Sequence, residues 1–104
     1  MRKIIDGKTY NTETAAHVCD VSGPVSDRGN FHYDRTDLYR SPKGQYFIAG
    51  HGGPLSCWAV KTGQSSWSGG DGLRLIEEEE ARALCERHAS AEVYQEFFGE
   101  PEEG

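Results

Sequence analysis

Phe31-His32-Tyr33-Asp34-Arg35-Thr36-Asp37-Leu38-Tyr39-Arg40 is followed by Ser41-Pro42-Lys43-Gly44-Gln45 and then by Tyr46-Phe47-Ile48-Ala49, and the rest of the chain is organised around these residues. Phe31, Tyr33, Leu38 and Tyr39 stand among charged residues, as on a half-buried strand. Pro42 to Gln45 is rich in turn formers, and Tyr46 to Ala49 is aromatic and β-branched. Strand, short turn and strand predict an antiparallel hairpin. Gly50-His51-Gly52-Gly53-Pro54 is expected to break its second arm.

Downstream, residues 55–61 fit a strand or one helical turn with Trp58 and Val60 packed inward. Residues 62–72, rich in Gly and Ser around Trp67, read as a loop, and Leu73 to Ile76 as a short strand. A helix is predicted from Glu77 to His88, because Ala81, Leu84, Cys85 and His88 fall at i, i+3, i+4 and i+7 on one stripe. Ser90 caps a second helix that carries Val93, Tyr94, Phe97 and Phe98, and Gly99 and Pro101 end it.

Upstream, Asp6-Gly7 between Lys3-Ile4-Ile5 and Lys8-Thr9-Tyr10 is a favoured two-residue hairpin turn. Thr12 can cap a helix from about residue 13 to 20, with Ala15, Val18 and Cys19 on one face. Residues 22–30 form a polar loop. The sum is an α+β domain over residues 1–99, with a small antiparallel sheet of three to five strands, a short N-terminal helix and two C-terminal helices. Residues 100–104 form a frayed acidic tail. Charged edge strands are expected to keep the chain a monomer or at most a weak homodimer.

At 104 residues the chain is too short for a TIM barrel or a complete dinucleotide-binding fold. No apolar run approaches the roughly 18 residues a membrane span needs. The net charge of -6 is uneven. Residues 1–70 hold eight Lys/Arg against six Asp/Glu, and residues 71–104 hold three against eleven. All the excess acid is thus in the last third, which disfavours direct duplex binding, because phosphates need Lys/Arg to replace counterions. Cys19, Cys57 and Cys85 are an odd set, and the start of the chain lacks the apolar core of a signal peptide, so free thiols in a reducing cytoplasm are expected.

Cys85-x-x-His88 puts two metal-ligating groups on one helical face, with His17, Cys19, His51 and Cys57 as loose companions. Zinc needs about four convergent ligands. Both members of the helical pair lie on the expected core stripe, so neither metal nor cofactor is expected. Cys57 and His51 suit a thiolate–imidazolium pair in type, but no nucleophile elbow accompanies them. The glycines at 50, 52 and 53 and at 69, 70 and 72 are of the kind that form anion nests, but no Gly-Lys-Ser/Thr follows. They are expected instead to serve turns of positive φ. The run Glu77-Glu78-Glu79-Glu80 suits a helix N-terminus, where carboxylates meet the positive end of the macrodipole. Together with Asp71 and Glu86 it also forms a candidate acidic surface that mimics nucleic-acid phosphates and fits a basic groove. Exposed Trp67 is a candidate anchor for the same partner.

Ile4-Ile5-Asp6-Gly7-Lys8-Thr9-Tyr10-Asn11-Thr12-Glu13-Thr14-Ala15 resembles the opening of small accessory proteins encoded on bacterial mobile elements. Asp37 to Ile48, followed by Gly50-His51-Gly52-Gly53-Pro54-Leu55-Ser56, resembles their central block, and Glu77 to His88 their acidic helix, with Glu77 where a capping Ser is expected. Proteins of this kind have been proposed as anti-CRISPR proteins. The resemblance implies a non-enzymatic inhibitor in the bacterial host cytoplasm whose partner is a CRISPR effector subunit. The alternative it leaves open is a structural or interaction module of the mobile element with no defence role. No catalytic residue transfers with it.

Overall fold

The computed structural model describes residues 1–104. Eight strands precede two helices: β1 (Arg2–Ile5), β2 (Lys8–Asn11), β3 (Ala16–Asp20), β4 (Asp34–Arg40), β5 (Tyr46–Gly52), β6 (Val60–Lys61), β7 (Trp67–Ser68), β8 (Gly70–Leu75), α1 (Glu78–His88) and α2 (Ala91–Phe98). They form three antiparallel sheets: β1-β2, the central β3-β4-β5-β8, and β6-β7. This corrects the expected architecture twice. There is no N-terminal helix, and the strands do not make one small sheet.

The reason for the missing helix is local. The Thr12 hydroxyl, expected to cap, instead accepts from the Met1 amine at 2.9 Å, and Asn11 Oδ1 accepts from the Glu13 N–H at 2.9 Å. Thr14 and Ala15 donate to the Asn11 carbonyl, so residues 11–15 close a turn and Ala16 enters β3. The helix-like spacing of Ala15, Val18 and Cys19 has another origin. A bulge between His17 and Cys19 turns both Val18 and Cys19 inward, while Ala15 packs in a different cluster.

Asp6 and Gly7 both take positive φ (51° and 76°) and join β1 to β2. Thr36, Leu38, Tyr46, Ile48 and Arg74 alternate onto one face of the central sheet, and Asp37, Tyr39, Phe47, Ala49, Leu73 and Leu75 onto the other. Ala81 and Cys85 of α1 bury against Leu38 and Tyr46 of the first face, and Phe98 of α2 stacks on Tyr46 with ring centroids 5.3 Å apart. Ser90 caps α2 by accepting from the Val93 N–H, and Gly99 ends it at φ 83°. The opposite face carries fully buried Phe47, which meets Tyr10 of β2 edge-on at 5.8 Å and Tyr39 at 5.3 Å. Tyr10 thereby fastens the N-terminal hairpin to a sheet with which it shares no strand pairing. Burying a side chain the size of Phe47 contributes about 1.5–3 kcal/mol.

Beyond the helices the first face is nearly bare. Gly50 pairs with Gly72 and Gly52 with Gly70, which leaves a trough across β5 and β8. Trp58 fills it: a Cβ on Gly50 would collide with the Arg35 carbonyl of β4 and stand 2.9 Å from the indole nitrogen, and one on Gly72 would stand 2.9 Å from the ring. These glycines are therefore required by close approach, not by positive φ. The expected break at Gly50 does not occur, and β5 runs on to Gly52. Trp58 Nε1 donates to Thr36 Oγ1 at 2.8 Å, and the Thr36 hydroxyl donates to Asp34 at 2.6 Å. Arg74 lies over the indole at 4.7 Å and donates to the Cys57 carbonyl.

Candidate functional site

Buried Ile76 ends the path of β8 and hands the chain to α1, so the glutamates emerge from a fixed point of the core. Glu77 is the N-cap in extended conformation, and its side chain makes no capping bond. Glu78, Glu79 and Glu80 occupy the first turn, where the unpaired N–H groups favour negative charge. All four, and Glu86, are exposed. Glu79 and Glu86, two turns apart, lie on the side of α1 away from Ala81 and Cys85. The acidity is interrupted: Arg82 reaches Glu78 at 3.4 Å while lying over Phe98 at 5.4 Å, and Arg87 follows Glu86. That exposed pair adds about 0.3–0.5 kcal/mol to the helix.

The structure groups Glu77, Glu78, Glu79, Glu80 and Glu86 on one helix but does not add the remaining candidates to them. Asp71 lies on the sheet face opposite α1, paired in register with His51, which in turn pairs with Arg35. Trp67, 52% exposed, belongs to the β6-β7 ribbon, where it faces Lys61. It precedes β8, whereas the glutamates follow it.

The structure adds two features to these candidates. Phe31 (64% exposed) and Leu55 (55%) are joined by a backbone bond of 2.8 Å from Leu55 N–H to the Phe31 carbonyl. With Val60 of β6 and Trp67 of β7 they are exposed apolar side chains of the segments around the Gly52–Gly70 end of the sheet. The second is an ion cluster: Asp37 takes His17 Nε2 at 2.9 Å and Arg35 Nε at 3.6 Å, with Tyr39 edge-on to the His17 ring. Neither was visible in spacing, because the loop bond and the cross-strand register both depend on residues far apart in the chain.

The thiols separate by burial. Cys19 and Cys85 face each other in the core between β3 and α1, and Cys57 is exposed. Burial, followed by the neighbouring Cys85 thiol, pushes the Cys19 thiol up to about 12, and burial also raises that of Cys85. Such thiols are poor nucleophiles and poor metal ligands, which need the thiolate. His88, expected on the buried stripe beside Cys85, is exposed instead. No cluster of three or more His, Cys, Asp or Glu is placed to hold a metal ion. No helix is long and apolar enough to cross a membrane. No family model, curated protein or solved structure matches the chain.

Proposed function

We propose that this chain is a non-enzymatic, stoichiometric protein-binding inhibitor, in its most concrete form an anti-CRISPR protein acting in the bacterial cytoplasm. In this reading the carboxylates of α1 occupy a basic surface of an effector subunit that otherwise holds nucleic acid. The observation that supports it is the exposure of Glu78, Glu79, Glu80 and Glu86 on a helix anchored through Ala81 and Cys85. A folded helix presents its carboxylates to a basic groove without a cost of ordering the backbone, and complementary charge speeds encounter. The resemblance to mobile-element accessory proteins directs the choice of partner.

The test is target-DNA binding by purified CRISPR effectors, with and without this protein, at two salt concentrations. Loss of DNA binding that is relieved at high salt supports the reading. The variant Glu78→Lys/Glu79→Lys/Glu86→Lys should inhibit about tenfold more weakly or worse. Undiminished inhibition by that variant moves the interface to the Phe31, Leu55 and Trp67 region. Absence of binding to any effector leaves the mobile-element module without a defence role.

A further inference from the structure

A cavity of about 550 Å³ lies between Gly7–Tyr10 of the N-terminal hairpin and Ser41–Gln45 between β4 and β5. Its charge is one-sided. Lys8 and Lys43 line it, no carboxylate does, and neither lysine takes part in an ion pair. Arg40 adds a third cation at the rim, its guanidinium 3.6 Å from where a Gly44 Cβ would stand. The hydroxyls are also unspent. Ser41 Oγ accepts from the Gln45 N–H at 3.0 Å, which fixes the oxygen and leaves its proton free to donate. Lys8 closes the hairpin turn opposite Ile5, so Thr9 is the residue of β2 whose N–H points away from β1.

From this geometry we infer that the cleft binds a phosphate group. Two ammonium groups on opposing turns, with hydroxyl donors between them, suit a tetrahedral anion with several acceptor oxygens. Lysine ammonium groups meet such oxygens as point charges, and the Arg40 guanidinium at the rim can add a forked contact. The site uses none of the α1 carboxylates and does not rest on their role. The phosphate has two possible sources, a free polyphosphate or nucleotide and the backbone of a single strand, and they present the same chemistry.

The experiment is a titration of the wild-type chain followed by amide NMR, with inorganic pyrophosphate in one arm and a short oligothymidine in the other. Saturable shifts confined to Gly7–Tyr10 and Ser41–Gln45 are expected. Both lysines are exposed, so Lys8→Glu/Lys43→Glu should keep the dispersed spectrum while binding about tenfold more weakly or worse. Response to pyrophosphate assigns the small-molecule source, and response to the oligonucleotide alone assigns the backbone. The inference is overturned if neither probe gives saturable shifts at these amides, or if the shifts survive in the double variant.

Discussion

The two halves of the helix-covered sheet face are closed in opposite ways. Over Leu38 and Tyr46 the cover is built from many side chains: Ala81 and Cys85 of α1, with Val93, Tyr94, Phe97 and Phe98 of α2. Over the Gly50–Gly72 pair it is one indole, held by a hydrogen bond to Thr36 and by Arg74 above it. A distributed cover loses little when one contact is trimmed. A single large ring lying on backbone concentrates the same task in one residue, and its seat tolerates no Cβ.

The widest contrast expected is chemical. Each half has its thiols, Cys57 beside Trp58 and the Cys19–Cys85 pair under α1. Ellman's reagent should label Cys57 in the folded protein at once, while Cys19 and Cys85 react about a thousandfold more slowly or worse, through unfolding. Equal labelling of all three would mean that the helical cover opens readily. Next comes Trp58→Ala, which should cost about 3–5 kcal/mol in urea unfolding. Gly72→Ala should cost about 1–3 kcal/mol, because the new methyl meets the indole. That penalty should shrink in the Trp58→Ala background, and a fully additive pair would break the account of the trough.

In the helical half, Ser90→Ala should cost about 1 kcal/mol by loss of the α2 cap. Glu77→Ser should gain about 0.5–1 kcal/mol, because the present N-cap side chain makes no bond. The smallest effect is on the acid limb. Ser22, through its hydroxyl and then its N–H, holds the Asp20 carboxyl below its ordinary value, with Arg35 and His88 helping. The unfolded chain therefore takes up this proton first as pH falls. The contribution is complete above about pH 5 and is lost as pH drops below about 4 toward the folded value. Asp20→Asn should flatten that part of the stability profile.

The same comparison explains what the sequence disclosed. The helical half follows local rules. The i, i+3, i+4 stripe of Ala81, Leu84 and Cys85, the Ser90 cap and the Gly99 stop are each readable within a few residues. The hairpin turns at Asp6-Gly7 and Pro42-Lys43-Gly44 are local in the same way. The glycine half is not local. Gly50 and Gly72 acquire meaning only once β4, β5 and β8 are in register and Trp58 lies over them. Read singly they imply turns. The absent N-terminal helix is the reverse case, in which a bulge imitates a helical period. Of the candidate surface, the α1 glutamates follow from the helix itself. The separation of Asp71 follows from strand alternation on a strand that extends three residues further back than the apolar run Leu73–Ile76 suggests.

The seat of Trp58 also draws on strands far apart in the chain. β3, β4 and β5 follow one another along the chain apart from loops, but β8 joins only after the excursion from Gly53 to Gly69 has closed. Trp58 rides on that excursion and lacks half its floor until Gly72 arrives. The two tryptophans are therefore built-in clocks of different kinds. Trp58 reaches its native surroundings only once the fourth strand has docked, whereas Trp67 is half-exposed in the folded protein. In refolding, the change in intrinsic fluorescence times the closing of the sheet and not its beginning.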